Sequence, residues 1–186
     1  MMALVIGGSG SGKSAFAEDY MEALHVSGKV SPGGRKKYYI ATMQASDEES
    51  RLRIARHKEL RKGKNFVTIE QPLSVFHAAE RMEEGERSAL LECVSNLAAN
   101  EMFGEGMGRG EEAVAEKIVE GIAGLKEETA YLVVVSNNVF GDGKVYDEDT
   151  MSYIRAMGMI NERLAAMADE VIEVVAGIRV RVKGMG

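Results

Sequence analysis

"LVIGGSGSGKS", residues 4–14, decides the fold. The apolar run from Ala3 to Ile6 reads as a buried strand. It breaks into glycine, and a helical apolar pattern begins at Ser14. Gly7, Gly12, Lys13 and Ser14 fit the spacing G-x-x-x-x-G-K-[ST], in the strand-before, helix-after context that gives the spacing its meaning. Each residue type has a physical task. Glycines let the backbone curl until successive N–H groups point into one concavity. The helix start adds partial positive charge. A lysine at position 13 reaches the outer phosphates, and a serine at position 14 ligates Mg²⁺. Gly7, Gly8, Ser9, Gly10, Ser11, Gly12, Lys13 and Ser14 are therefore expected to bind a nucleoside triphosphate with Mg²⁺. The loop alone leaves kinase, GTPase, ATPase and transferase all open.

Working outward, strand and helix patterns alternate. "SAFAEDYMEALHV" (14–26) spaces Phe16, Tyr20 and Leu24 helically, and a loop rich in Gly and Lys follows at 27–37. "YYIAT" (38–42), "NFVTIEQP" (65–72), "ALLECV" (89–94) and "YLVVVSN" (131–137) read as strands, the last as the centre of the sheet. Helices are expected from a Ser46/Glu49 capping box onward, over 73–82, over 111–128 and over 151–168, with Asp147 or Asp149 near the start of the last. "GEGMGRG" (104–110) reads as a loop between helices. "EVIEVVAG" and "IRVRVK" close the chain as two strands around Ala176-Gly177. The alternation predicts an α/β, P-loop NTPase-like (RecA-like) fold: a mostly parallel sheet flanked by helices, with a C-terminal β-hairpin at one edge.

Composition bounds the rest. At 186 residues and 45% hydrophobic content the chain suits one nucleotide-binding domain, residues 1–186. Basic side chains number 23 and acidic ones 29, a formal charge of -6, which argues against a nucleic-acid partner. The single cysteine, Cys93, excludes an internal disulfide framework and suits a reducing compartment. No apolar run reaches the length of a membrane span, and the opening "MMALVIGGSG" does not read as a signal peptide. A cytoplasmic location is the expectation.

Two further features carry chemistry. Glu92 ends the strand "ALLECV", where an acid can hold Mg²⁺ or its water opposite the phosphate loop; an ordinary strand-end acid is the plainer reading. In "RIARHKELR" (53–61), Arg53, His57 and Arg61 recur every four residues and would share one helical face. Neighbouring guanidiniums disfavour imidazolium, so His57 is expected to stay neutral and nucleophilic near pH 7, with arginines able to clamp phosphate oxygens. A solvated, charge-laced helix carrying a histidine by chance fits the same spacing. His25 and His77 lack such company and read as structural.

With these residues in view, the chain resembles the bifunctional cobinamide kinase / cobinamide-phosphate guanylyltransferase family of cobalamin biosynthesis. "LVIGGSGSGKS", "YYIATMQASDEE", "RIARHK", "TIEQP", "LLECVSNLAANEMF", "VVVSNNVFGDG" and "INERLAAMADEVIEVVAGI" carry the resemblance over nearly the whole length. It implies that adenosylcobinamide is first phosphorylated with ATP or GTP. His57 then attacks the α-phosphate of GTP, giving a GMP-histidine and pyrophosphate, and GMP passes to adenosylcobinamide phosphate to give adenosylcobinamide-GDP. It implies nucleotide contacts at Ile40, Ala41, Thr42, Lys58, Glu59, Leu60, Arg61, Glu70 and Glu92, catalytic roles for His57 and Lys13, metal contacts at Ser14 and Glu92, and a homotrimer. The chain departs from the resemblance at Gly10, where many members have Arg or Lys, and at Asn137-Asn138-Val139-Phe140, where many have N-E-V-G. A small-molecule kinase without a histidine intermediate, or a nucleotide-switch ATPase or GTPase, are the alternative readings of the same loop.

Overall fold

The computed structural model describes residues 1–27, 36–45, 48–104, 110–138 and 146–184. Seven strands are β1 (Met2–Gly7), β2 (Lys36–Ala41), β3 (Val67–Glu70), β4 (Arg87–Glu92), β5 (Tyr131–Asn137), β6 (Glu170–Val175) and β7 (Ile178–Lys183). Five α-helices are α1 (Lys13–Ser27), α2 (Glu48–Leu60), α3 (Val94–Phe103), α4 (Glu111–Glu127) and α5 (Glu148–Met167). All seven strands join one sheet in the order β3-β2-β4-β5-β1-β6-β7. Every neighbouring pair is parallel except β6 and β7, which form the expected antiparallel hairpin at the edge. Its turn places Ala176 at φ 48° and Gly177 at φ 80°, the left-handed pair that a two-residue hairpin of matching twist requires. β5 is the central strand, as its unbroken apolar run predicts.

Alternation along the strands loads both faces. Met2, Leu4, Ile40, Leu91, Leu132 and Val134 point to the face covered by α3, α4 and α5. Ala3, Val5, Tyr39, Leu90, Val133 and Val135 point to the other, where α1 lays down Phe16, Ala17 and Met21. Parallel strands buried on both faces need such continuous apolar runs. Asp147 caps α5 by accepting from the Thr150 amide at 3.0 Å.

Three local expectations come out differently. Residues 73–82 form a 3₁₀ helix, Val75–Arg81, entered through Ser74 in the left-handed region at φ 46°. β4 ends at Glu92, and Cys93 already caps α3. Arg61, expected on one helical face with Arg53 and His57, falls immediately after the last residue of α2, in the turn that follows. Gly63, at φ 88°, completes that turn. Ser46 and the side chain of Glu49, which make up the expected capping box, together with Asp47 and the segments 28–35, 105–109 and 139–145, fall outside the described residues.

Candidate active site

The phosphate loop leaves the C-terminal end of β1 and closes on itself. The Ser11 amide donates to the Gly8 carbonyl at 3.2 Å, and the Phe16 amide to the Gly12 carbonyl at 3.1 Å, opening α1. Gly12 sits at φ 89°, a conformation that side-chain-bearing residues rarely adopt. Neighbouring strands brace the loop: the Asn138 amide donates to Gly7 at 3.2 Å, and the Gly177 amide to Ser11 at 2.9 Å. The edge hairpin thus holds the loop through its own turn. Lys13 is buried and donates to the Gly8 carbonyl at 3.1 Å. Burial lowers its pKa, against the opposing pull of Cys93 and Glu92.

Register brings the other expected residues into line with it. Gly7 pairs with Asn137, Ala41 pairs with both Glu92 and Glu70, and Glu92 pairs with Val135. The carboxyl ends of β1, β2, β3 and β4 therefore form one row, the crevice where open α/β sheets bind ligands. A pocket of about 480 Å³ opens along this row, lined among others by Tyr39, Ala41, Lys58, Arg61, Glu70 and Glu92. Lys58 reaches Glu70 Oε1 at 3.2 Å, and both residues line the pocket. No residue of the phosphate loop lines the pocket, but Glu92 does, and its carboxylate charge acts on Lys13.

Thr42 and Ile40 serve the row from beneath. Thr42 is fully buried; its hydroxyl donates to the Cys93 carbonyl and accepts from the Cys93 amide, each at 2.8 Å, and fastens β2 to the β4–α3 junction. Asn100 donates to the Thr42 carbonyl at 2.8 Å and the Pro72 carbonyl at 2.9 Å. The Ile40 side chain lies in the core on the opposite face, so only its backbone is on the crevice side of the strand. Glu59 is exposed and pairs with Lys62 at 2.6 Å, away from the pocket.

α2 approaches the pocket from outside the sheet. Among the described residues it contributes nothing to either core cluster, and Leu52 is 65% exposed. Ile54 and Lys58 line the pocket, which sets the helix beside it. His57 is one residue before Lys58 on this helix; the side chains of Arg53, Arg56, His57 and Leu60 fall outside the described residues. The turn after α2 is anchored firmly. Lys64 bonds Glu18 and Asp19 of α1, each at 2.9 Å, and the Arg61 guanidinium carbon stands 3.5 Å from the Tyr39 ring centroid.

The sequence reading did not single out Tyr39, Cys93, Ser95 or Asn96 as site residues. Cys93 Sγ lies 3.0 Å from Ser95 Oγ, which accepts from Asn137 Nδ2 at 2.7 Å. Burial raises the Cys93 pKa, so the thiol stays protonated near neutrality. Tyr153 donates to the Ser95 carbonyl at 3.2 Å, and burial, then Cys93, pushes its phenol up to about 12. The signal for this cluster was its place immediately after Glu92, at the start of α3.

A parallel sheet with this loop at the carboxyl end of β1 defines a P-loop nucleotide-binding protein. The chain overlays a solved ATPase domain with a TM-score of 0.50 at 10% identity, over 92% of this chain and 68% of that one, which shows the shared fold. The family model described as cobinamide kinase / cobinamide phosphate guanyltransferase matches residues 3–182, and the chain belongs to that family. It is 34% identical to the bifunctional adenosylcobalamin biosynthesis protein CobU of Salmonella typhimurium, over 98% of this chain and 100% of the relative. CobU of Escherichia coli is 33% identical with the same coverage. CobP of Pseudomonas aeruginosa is 29% identical over 99% of this chain and 98% of its own length.

Proposed function

We propose that residues 1–186 act as one nucleotide-binding domain with two activities. The first phosphorylates adenosylcobinamide with ATP or GTP. The second transfers GMP from GTP, through a GMP-histidine at His57, to adenosylcobinamide phosphate. Membership of the family over residues 3–182 is the observation that carries this reading. The gathering of Lys58, Arg61, Glu70 and Glu92 around one pocket, on the same sheet edge as the phosphate loop, supports it.

In this mechanism the loop amides and Lys13 hold the triphosphate and neutralise charge that builds on the departing pyrophosphate. His57 Nε2 or Nδ1 forms the P–N bond to the α-phosphorus as the bond to the bridging oxygen breaks; the phosphate of the corrinoid then displaces histidine. One difficult displacement becomes two easier ones. Arg61 and Lys58 bind the transferred nucleotide from the α2 side. Glu92 Oε2 is buried without a hydrogen-bond partner among the described residues, a donor that fits a hard cation or its water. Ser14 and Glu92 would hold Mg²⁺, which when bound spreads the negative charge of the phosphates. Among the described residues no cluster of three or more His, Cys, Asp or Glu side chains competes for a metal.

No helix among the described residues is long and apolar enough to cross a membrane. We place the protein in the cytoplasm, beside its nucleotide substrates and free of nucleic acid, and as a homo-oligomer, the trimer being the expected state. Light scattering reads the oligomer. The leaving group tests the activity: incubation with GTP and adenosylcobinamide phosphate should release pyrophosphate and yield adenosylcobinamide-GDP. Release of nucleoside diphosphate alone would reduce the protein to a kinase.

A further inference from the structure

Tyr39 lines the pocket from β2. It is 3% exposed, in the middle of β2, and Phe66 meets its ring edge at 6.1 Å and 75°. Ala41 pairs with Glu92 across β2 and β4, so Tyr39, two residues earlier, shares a sheet face with Glu92. Burial first, and then the nearby Glu92 carboxylate, raise the pKa of the Tyr39 phenol, so the hydroxyl and that carboxylate are near neighbours on this face. The Arg61 guanidinium carbon lies over the Tyr39 ring, 3.5 Å from the centroid, a cation–π contact that a desolvated site strengthens. Arg61 is 8% exposed and its Nη1 is buried without a hydrogen-bond partner among the described residues. Both Arg61 and Tyr39 line the pocket.

We propose that Tyr39 is a positioning residue for nucleotide transfer: its ring fixes the Arg61 guanidinium in the turn after α2, and its hydroxyl fixes the Glu92 carboxylate at the end of β4. One rigid side chain thereby sets the separation between the nucleotide clamp at the end of the His57 helix and the acid beside the phosphate loop. Arg61 needs this help. It sits in a turn after a helix whose described residues join neither core cluster, and a free arginine there would sample many rotamers. The inference rests on the guanylyl-transfer reading for its meaning, and its test separates the two.

The variants are Tyr39→Phe, which keeps the stack and loses the hydroxyl, Tyr39→Leu, which loses both, and Arg61→Lys, which loses the planar partner. GTP affinity is read by equilibrium dialysis with and without Mg²⁺, and GMP incorporation by single-turnover labelling. Tyr39→Phe should hold GTP affinity in EDTA within about 2-fold, raise the Mg²⁺ midpoint and slow incorporation about 10-fold, as loss of a bond to a charged acceptor does. Tyr39→Leu should weaken GTP binding about 10-fold even in EDTA. The Tyr39→Leu/Arg61→Lys double variant should bind GTP no worse than either single one, because the two changes break one contact. Additive losses in that cycle, or a Tyr39→Phe protein with unchanged Mg²⁺ midpoint and rate, overturn the proposal. If Tyr39→Leu does not fold, the Tyr39→Phe response decides. If wild-type protein takes up no GMP, the transfer reading falls and the affinity cycle alone decides the positioning role.

Discussion

Gly7 and Val174 approach so closely that a methyl group on Gly7 would lie 2.5 Å from the Val174 carbonyl oxygen. The same methyl would stand 2.6 Å from Ser11 Oγ, inside the phosphate loop. Gly7 is thus where β1, β6 and the loop share space that only hydrogen can occupy. The Gly7→Ala substitution must move backbone, because the nearest atom belongs to a strand. We expect a loss of about 1–3 kcal/mol in stability and of GTP binding together. Chemical denaturation and equilibrium dialysis check this; wild-type values for both would mean that the loop tolerates a wider seat.

Asn161 ties α5 to the end of β5. It accepts from Ser136 Oγ at 2.6 Å and donates to the Asn137 carbonyl at 3.1 Å. Ser136 is fully buried, so the Asn161→Ala change strands its hydroxyl away from water. The expected cost is about 1–3 kcal/mol in urea unfolding, with an unchanged m-value. A stability within a few tenths of a kcal/mol of wild type would show that the pocket rehydrates at no net loss.

Asp169 predicts part of the acid response. Its Oδ2 accepts from the Met2 amide at 2.6 Å, while its own amide donates to the Met2 carbonyl at 2.9 Å. The bond from Met2 lowers its folded pKa below the ordinary value of 3.8. A depressed carboxylate stabilises the fold fully above its unfolded pKa, and that contribution fades as pH falls through the lower folded value. The window is therefore below about pH 4. Asp169 is exposed, so solvent screens part of this gain; the Asp169→Asn variant should melt about 1–2 °C lower at pH 7, and the gap should narrow in acid. A constant gap across pH 3–7 would assign the effect to packing instead.

The sequence made the sheet legible because parallel strands buried on both faces must be apolar throughout, and "ALVI" and "YLVVVS" are. The hairpin was legible for another reason: Ala176-Gly177 interrupts two β-branched runs at two-residue spacing. Strand order was not legible. Runs as alike as these pair through long crossovers, and nothing local distinguishes β4 from β5 as the neighbour of β1. The phosphate loop was readable because its chemistry sits in consecutive residues. The rest of the candidate site is assembled from five elements, and there local reading fails in characteristic ways. Arg61, within "KELRKGK", reads as a phosphate clamp beside His57 or as a solvated charge, and neither reading reveals that it lies buried over a core ring. Tyr39 reads as core filling because burial is all that its place in an apolar strand shows. Ile40 follows the alternation away from the crevice, which a contiguous "IAT" block does not reveal.

The central claim is that the imidazole of His57 carries GMP between two phosphates. The direct measurement is incubation with GTP labelled at the α-phosphate, followed by acid and base treatment of the protein and the same experiment on the His57→Ala variant. The account predicts label that stays on the wild-type chain, resists base, leaves in acid and is absent from the variant. Equal labelling of the His57→Ala protein, or wild-type turnover to adenosylcobinamide-GDP with no label ever resident on the chain, would contradict it.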